Sequence, residues 1–517
     1  MELFQIKING PMEGTSELYV RVLKGNIDRN TGAMHSGTVI SLDTYFNMFS
    51  CGKYLKWTNV TSATAEIKAV GRFKYQLLSR CKGEADRLLW ETENEGSTYI
   101  PLNFENEKND CSYYIKLCAL EDSCVFLGGR YTTDFKPAYM KTATIICTYK
   151  REEYLLKNIS ALRAALLDNP DSPVKDALEI FVVDNGQSLS GLLEEHPSVK
   201  LFPNKNCGGS GGFTRGLIEA LKRKDEFTHV LLMDDDIIID PNVIEKTIQF
   251  QSVVKAEFSD LHIAGGMLYL DNPLVQHEAT ARWNGNIHPN NTGLNLACST
   301  DLIENEIEKK ADYGAWWYLC FPLSIVNENN LPLPLFIKGD DIEYGLRNMK
   351  HVLIMNGIGV WHEGFIGKER PYLDYYIIRN YMIIGSIHKK KSKTVVLLLV
   401  LFRRMMRAVI FDAPEIAEFV TKGVKDYLDG PDFIIKTDSE KLNTELRSKS
   451  NKVLGYTEIS KKRKMLLLIK KVPTYIFWRT VIRFIKVSVH YLSKNKAKNK
   501  DYKILKDYKR NQIGNGE

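Results

Sequence analysis

From residue 1 to about 135, polar and apolar positions alternate, with aromatic and β-branched residues on the apolar beat, as in ATAEIKAV, STYIPL and SYYIKLCAL. Turn clusters (NGPMEG, GEAD, NEKND, LGGR) cut the pattern into short runs, which predicts an all-β sandwich or jelly roll. From about Lys141 the pattern changes. TATIICTYKR reads as a buried strand that runs into helical periodicity over Tyr154–Leu167, and EIFVVDNG as a second strand ending on Asp184 and a turn. A third element comes next, then the glycine-rich FPNKNCGGSGGFTRGLIEALKRK, which opens a helix, then the strand VLLMDDD. Strands that alternate with helices and end on polar residues predict a doubly wound α/β sheet of Rossmann type. After about Tyr372 the pattern is helical, in RNYMIIGSIHKK and VVLLLVLFRRMMRAVIF. The expected divisions are 1–135, 136–385 and 386–517.

Composition adds little to this picture, and charge adds more. A chain of 517 residues, 44% hydrophobic and 26% charged, is globular and long enough for about three domains. The nine cysteines are odd in number, lack CxxC spacing and sit partly in apolar runs such as TIICTY and WWYLCFP. They are expected to be reduced core residues of a cytosolic protein, not a disulfide framework or zinc site. MELFQIKING shows no signal-peptide pattern, and the longest apolar run, Val395–Phe402, is far shorter than the roughly 20 residues of a spanning helix. The net charge of +7 conceals a polarity: residues 461–510 hold 17 Lys/Arg against Asp501 and Asp507, a local +15 that leaves −8 elsewhere. Interleaved with LLLI, YIFW and VIRFIKVSVHYL, this charge favours an anionic membrane surface. A basic helix packed on its own domain is the plainer reading, and no nucleic-acid-binding motif accompanies the charge.

The candidate chemistry begins at HVLLMDDDIIIDP, where a buried strand stops on Asp234, Asp235 and Asp236. Carboxylates at the end of a parallel strand lie where open α/β sheets bind ligands. Residues two apart in an extended segment face the same way, so Asp234 and Asp236 can aim at one point while Asp235 aims elsewhere. Two hard oxygen ligands suit Mg²⁺ or Mn²⁺ with a diphosphate completing the shell; taken alone, the triplet is equally an acidic loop or helix cap. NCGGSGG (Asn206–Gly212) lacks the GKS ending of a P-loop, so it marks either close backbone approach to a ligand at a helix N-terminus or a mere tight turn. Asp340 and Asp341 in PLFIKGDDIEYGLR form a second acidic pair. Asp340 with Glu343 fits a capping box, which leaves Asp341 in the first turn as a candidate general base. His362, after strand-like IGV, is either a structural hydrogen-bonder or a third metal ligand. Trp316 and Trp317 read as core, yet two adjacent indoles in a strand are not expected both to point inward, so one is a candidate sugar platform.

In the order CTYKR, VVDNG, NCGGSGGFTRG, MDDD, WW, FIKGDDIEYGLR and WHE, these motifs resemble GT-A-fold glycosyltransferases of family 2. More narrowly, the chain resembles the bacterial galactofuranosyltransferases of mycobacterial galactan synthesis. The resemblance extends into the β region through LDTYFNMFSCGKYLKW and into the helical region. It implies a GT-A (Rossmann-like) domain between an N-terminal β-sandwich and a helical C-terminal region. It implies that Thr148, Arg151, Asp184 and Asn206 hold uridine and diphosphate, that Asp235 contacts the donor, and that Asp234, Asp236 and His362 bind Mn²⁺ or Mg²⁺. Asp341 becomes the base, Asp340 its acceptor-side neighbour, and Trp316 or Trp317 a platform, with Glu278 and Trp283 on the acceptor side. Gly339 departs from the tryptophan that family members carry there, which implies a wider acceptor site.

The function so implied is inverting, metal-dependent transfer of galactofuranose from UDP-galactofuranose to a lipid-linked glycan, in cell-surface polysaccharide synthesis. The enzyme would lie peripherally on the inner face of a bacterial membrane, and a homo-oligomer is left open. The alternatives are the same fold with another nucleotide sugar (rhamnosyl or hexopyranosyl) and a non-catalytic glycan-binding assembly subunit. The complete set of Asp234, Asp236, Asp341 and His362 argues against the last.

Overall fold

The computed structural model describes residues 1–365, 370–450, 465, 471, 475–497, 502 and 505. Strands β1 (Glu2–Ile6), β3 (Ala33–Met34), β5 (Ser62–Val70), β8 (Thr98–Asn103) and β10 (Cys124–Thr132) form one antiparallel sheet. A second antiparallel sheet holds β2 (Arg21–Lys24), β4 (Val39–Ser41), β6 (Arg72–Cys81), β7 (Arg87–Glu95) and β9 (Cys111–Ala119). Alternation in sequence becomes alternation in burial: Ala63, Ala65, Ile67 and Ala69 of β5, and Phe73, Tyr75 and Leu77 of β6, point into the core.

The motif LDTYFNMFSCGKYLKW supplies helix α1 (Cys51–Trp57) and ties these sheets to the α/β region. Tyr54 of α1 packs on Phe250 of α4 (Asn242–Gln251) with ring centroids 4.9 Å apart, and Phe46 meets Trp361 at 5.6 Å. One hydrophobic core therefore runs from Leu3 to Trp361. The expectation of uniformly reduced cysteines fails here. Antiparallel register places Cys81 of β6 directly opposite Cys111 of β9, and the two form a disulfide, while the other seven cysteines are free. Their separation of 30 residues carries no local signal.

Beyond the β region lies a mixed sheet. Strands β11 (Thr142–Thr148), β12 (Leu178–Asp184), β13 (Val199–Pro203) and β14 (His229–Asp234) are parallel, in the order β13-β12-β11-β14. The sheet continues through antiparallel β21 (Tyr318–Pro322) to β16 (Leu261–Ala264) and β22 (His351–Leu353). Every residue of β12 is buried, as expected of a parallel strand covered on both faces. Helix α2 (Glu152–Leu162) ends in a π turn, Arg163–Leu167, so the predicted helical stretch is one element with a widened last turn. Helix α3 (Gly208–Lys222) lies flush on β11: a Cβ at Gly212 would fall 2.0 Å from Cys147 Sγ, and one at Gly216 2.2 Å from Ile145 Cγ2.

Chain order reverses between β11 and β14. That reversal is the switch point at which open α/β sheets bind ligands. A smaller sheet, β15 (Ile237–Ile238), β23 (Gly359–His362), β17 (Gly266–Tyr269) and β18 (Gln276–Glu278), abuts it. The hairpin β19 (Ala281–Trp283) and β20 (Ile287–Pro289), then α5 (Ser299–Glu306) and α6 (Asp340–Asn348), complete this part. Helices α7 (Leu373–Ile387), α8 (Thr394–Ile410), α9 (Glu415–Asp429) and α10 (Pro431–Lys436) form a second core with the helix Tyr475–Ala497, and α11 (Ser439–Ser448) packs Leu442 and Leu446 against Phe336, Tyr375, Tyr376 and Phe419 in a smaller cluster. Arg404 bridges α8 to the buried Asp374 of α7 at 2.9 Å. Among the described residues no helix is long and apolar enough to cross a membrane.

Candidate active site

Apolar Val230–Met233 buries β14 and forces the strand to surface on acid, so Asp234 and Asp236 keep partly exposed edges while Asp235 turns inward. His362 arrives from another element. Antiparallel pairing of β15 with β23 sets Ile237 opposite His362, and the imidazole Nε2 lies 3.3 Å from Asp236. Its Nδ1 lies 2.7 Å from the Glu363 carbonyl, which can only accept, so Nδ1 carries a proton and Nε2 is the nitrogen that faces the acids. Ligand atoms of Asp234, Asp236 and His362 all lie within 4.8 Å of one another. Two carboxylates and one imidazole, converged and partly exposed, fit a divalent ion such as Mn²⁺ or Mg²⁺.

Cations and burial tune this cluster. Arg151, just past β11, forms an ion pair with Asp236 and lies 3.6 Å from Asp235. Burial holds Asp234 above the ordinary carboxylate range, opposed by His362 and reinforced by Asp235. Asp235 is likewise raised by burial, with Thr148 and Arg151 pulling the other way.

The second acidic pair opens α6 from a different cap than expected. Gly339, at φ +92°, is the N-cap, and Asp340 is the first helical residue. Glu343 does not reach back to complete a capping box; it is fully buried between Arg347, which donates to it at 2.9 Å, and His388 at 3.1 Å. Burial raises both Asp340 and Asp341, and the charge of Asp341 adds to the shift at Asp340. Asp341 also feels the charge of Asp234, which puts the two acidic groups in one electrostatic neighbourhood. Glu278, at the end of β18, is pushed up to about 7 by burial first and by Asp341 second.

The remaining expected residues divide. Thr148 and Arg151 stand at the switch point. Both oxygens of Asp184 accept backbone N–H groups, from Gly186 at 2.9 Å and Leu189 at 2.8 Å, so this carboxylate builds its own turn. Asn206 caps the glycine loop by accepting from Gly208 N at 3.1 Å and donates to Glu440 of α11 at 3.3 Å. The glycine loop approaches protein at Gly208, where a Cβ would sit 2.1 Å from the Phe336 carbonyl, while Gly209 faces Asp340 at 3.7 Å.

Trp316 and Trp317 correct the expectation that one must be exposed. Trp316 packs on Phe213 and Tyr344, and Trp317 donates to the Gly265 carbonyl at 2.9 Å from within another core. The sheet is covered on both faces, so opposite directions are both inward. Trp283 is also buried, edge-on to Tyr381 with centroids 4.5 Å apart. The indole N–H groups of Trp283 and Trp316 have no acceptor among the described residues.

Residues 137–356 match the family described as glycosyltransferase like family 2, a segment that holds Asp234–Asp236 and Asp340–Asp341. The chain carries a family 2 glycosyltransferase domain. It is 27% identical over 439 residues to the galactofuranosyltransferase GlfT2 of Mycobacterium tuberculosis, covering 76% of this chain and 66% of that protein. To the GlfT2 of Mycolicibacterium smegmatis it is 24% identical over 387 residues, covering 68% of this chain and 58% of that one. The chain therefore spans about two thirds or less of the length of these relatives. A solved mannosyltransferase from Pyrobaculum calidifontis, PcManGT in complex with GDP-Man and Mn²⁺, aligns with 69% of this chain and 90% of its own at 10% identity and a TM-score of 0.34. That likeness is too loose to bear on the site.

The glycosyltransferase domain also holds residues that sequence patterns gave no reason to single out. Tyr313, within it, and Tyr381, on α7 just beyond it, both feel the charges of Asp341 and Glu278. Phe365 packs against His362 with centroids 5.4 Å apart, and Lys338 lies over the Phe365 ring. Lys338 stands two residues before Asp340, and that short distance was the available signal.

Proposed function

We propose that this protein transfers galactofuranose from UDP-galactofuranose to a lipid-linked glycan by one inverting displacement. The observation that carries this reading is the convergence of Asp234, Asp236 and His362 in the electrostatic field of Asp341. When bound, Mn²⁺ or Mg²⁺ supplies Lewis-acid neutralisation of the donor diphosphate. Asp234, Asp236 and His362 would hold it, and Arg151 and Thr148 would stand beside the donor. Asp341 accepts the proton of an acceptor hydroxyl at a carboxylate oxygen. The new bond forms from that hydroxyl oxygen to the anomeric carbon, and the bond from that carbon to the β-phosphate oxygen breaks, leaving its electron pair on UDP. Attack from the opposite face converts an α-linked donor into a β-linked product. Positioning and fixed charge lower most of the barrier.

Glu278, Trp283 and Asp340 line the acceptor side in this reading. Burial leaves Trp316 and Trp317 no exposed ring face, so any acceptor contact of theirs runs through an edge, such as the unpartnered Trp316 N–H. The N-terminal sheets serve as a β-sandwich module attached to the GT-A domain.

The C-terminal helices support peripheral attachment to an anionic membrane. Nearly half of the basic segment 461–510 lies outside the described residues, but the helix Tyr475–Ala497 belongs to it. Phe477, Val481, Phe484 and Tyr491 pack inward, while Trp478, Ile482, Ile485, Val489 and Leu492 form an exposed stripe at helical spacing. Arg479 and Lys486 flank it, and Val395, Leu399 and Phe402 of α8 are exposed on the helix it packs against. An apolar stripe edged by cations suits a lipid interface.

The test is a donor screen. With Mn²⁺ and a lipid-linked acceptor, UDP release is expected to be fastest from UDP-galactofuranose; faster release from a pyranose or rhamnosyl donor would overturn the substrate assignment.

A further inference from the structure

The segment leading into α6 has an unusual backbone. Phe336, Lys338 and Gly339 have φ of +72°, +67° and +92°, in a region that non-glycine residues rarely enter. Such conformations persist only where the surroundings over-determine them, and they cluster at working sites. The surroundings here are explicit. Asn380 of α7, fully buried, donates from its amide to the carbonyls of Leu335 at 3.2 Å, Ile337 at 2.9 Å and Lys338 at 2.7 Å. Arg379 donates to the Leu335 carbonyl at 2.8 Å, and Ser210 N of the glycine helix donates to the Phe336 carbonyl at 3.2 Å. Two helices thus clamp a strained turn from opposite sides.

What the turn presents is Lys338. Its side chain is exposed, and it makes no ion pair among the described residues. Its ammonium lies 5.4 Å from the centroid of Phe365, whose ring in turn packs on His362. Its charge reaches Asp234, Asp340 and Asp341 and lowers each of them. Arg151 already engages Asp235 and Asp236. Lys338 is therefore a cation turned toward the acids yet not consumed by any of them.

We propose that Lys338 is a catalytic residue that binds the donor diphosphate and neutralises the charge left on it as the glycosidic bond breaks. The inference rests on the reading of this site as one for a nucleoside diphosphate sugar, and it adds a residue of this chain to that reaction. Asp234, Asp235, Asp236, Asp340 and Asp341 share one electrostatic neighbourhood, and in this reading it must accept a polyanion whose charge grows during reaction. An exposed ammonium, unpaired among the described residues and carried on a fixed turn, can meet that charge, which a guanidinium paired with two aspartates is less free to do.

The test compares wild type with Lys338→Met and Lys338→Arg. UDP and uridine affinities are measured by calorimetry in Mn²⁺, and kcat with the donor, on proteins matched in thermal stability. Lys338→Met is expected to bind UDP roughly ten-fold more weakly, to bind uridine unchanged, and to lose at least as much in kcat. Lys338→Arg should recover most of both. Equal UDP affinity in wild type and Lys338→Met would overturn the proposal, as would a parallel loss for uridine, which would mark a role in shaping the turn. If wild-type protein itself fails to bind UDP, the reading of the site fails first.

Discussion

The proposed metal half and the proposed base half of this site are built by different means. Asp234, Asp236 and His362 stand on paired strands, where the register between Ile237 and His362 fixes their approach through backbone hydrogen bonds. Asp340 and Asp341 stand at the start of a helix entered through a left-handed turn that Asn380 and Arg379 hold from a distant part of the chain. Strand pairing gives the first half a geometry that one substitution hardly moves. The second depends on a few side-chain hydrogen bonds and on glycine at 339. Substitutions that remove chemistry should therefore look alike in the two halves, while substitutions that disturb support should register mainly in the second.

The largest effect is expected from Asp341→Asn. Loss of a positioned base lowers kcat by about 10²–10⁴-fold, while UDP affinity in Mn²⁺ measured by calorimetry stays near wild type; lost UDP binding would move Asp341 to the donor side. Next comes His362→Ala, which should weaken Mn²⁺ binding by no less than the roughly 10–100-fold that loss of a supporting partner costs. Unchanged Mn²⁺ affinity would remove His362 from the ligand set and leave the two aspartates alone.

A pH profile addresses the proposed base half through Asp341. As the proposed base, Asp341 works only as a carboxylate, and burial raises its pKa. Activity should therefore be complete above the raised value and fall as pH drops through it, giving an acid limb well above the ordinary aspartate value of about 3.9. A limb at or below that value in a kcat profile would mean that Asp341 is not the base. Smallest is Gly339→Ala. A Cβ there meets Ile384 Cδ1 at 3.0 Å on a backbone at φ +92°, so stability should fall by roughly 1 kcal/mol in denaturant melts. An equal loss for Gly209→Ala, whose Cβ would have room, would mean that the turn before α6 is no more fragile than the glycine helix.

The same contrast governs what could be read from the sequence. The convergence of Asp234 and Asp236 was legible because Val230–Met233 announces a buried strand and period-two geometry sends both to one side. His362 stood out after a strand-like run, but only the resemblance favoured a ligand over a structural hydrogen-bonder; its approach depends on a two-residue strand, Ile237–Ile238, that no periodicity reveals. In the base half, Asp340 looked like a capping residue because the left-handed Gly339 before it leaves no mark beyond a glycine. The clamp from Asn380 lies 42 residues beyond Lys338. Trp316 and Trp317 misled because the sheet is covered on both faces, and Cys81–Cys111 went unseen because only strand register brings them together.

The most direct test is the anomeric configuration of the product, read by NMR after incubation with α-linked UDP-galactofuranose, Mn²⁺ and a lipid-linked acceptor. Asp341 as the base of a single displacement requires a β-linked galactofuranosyl residue. An α-linked product would contradict it, because retention demands a second displacement that one proton-accepting aspartate does not provide.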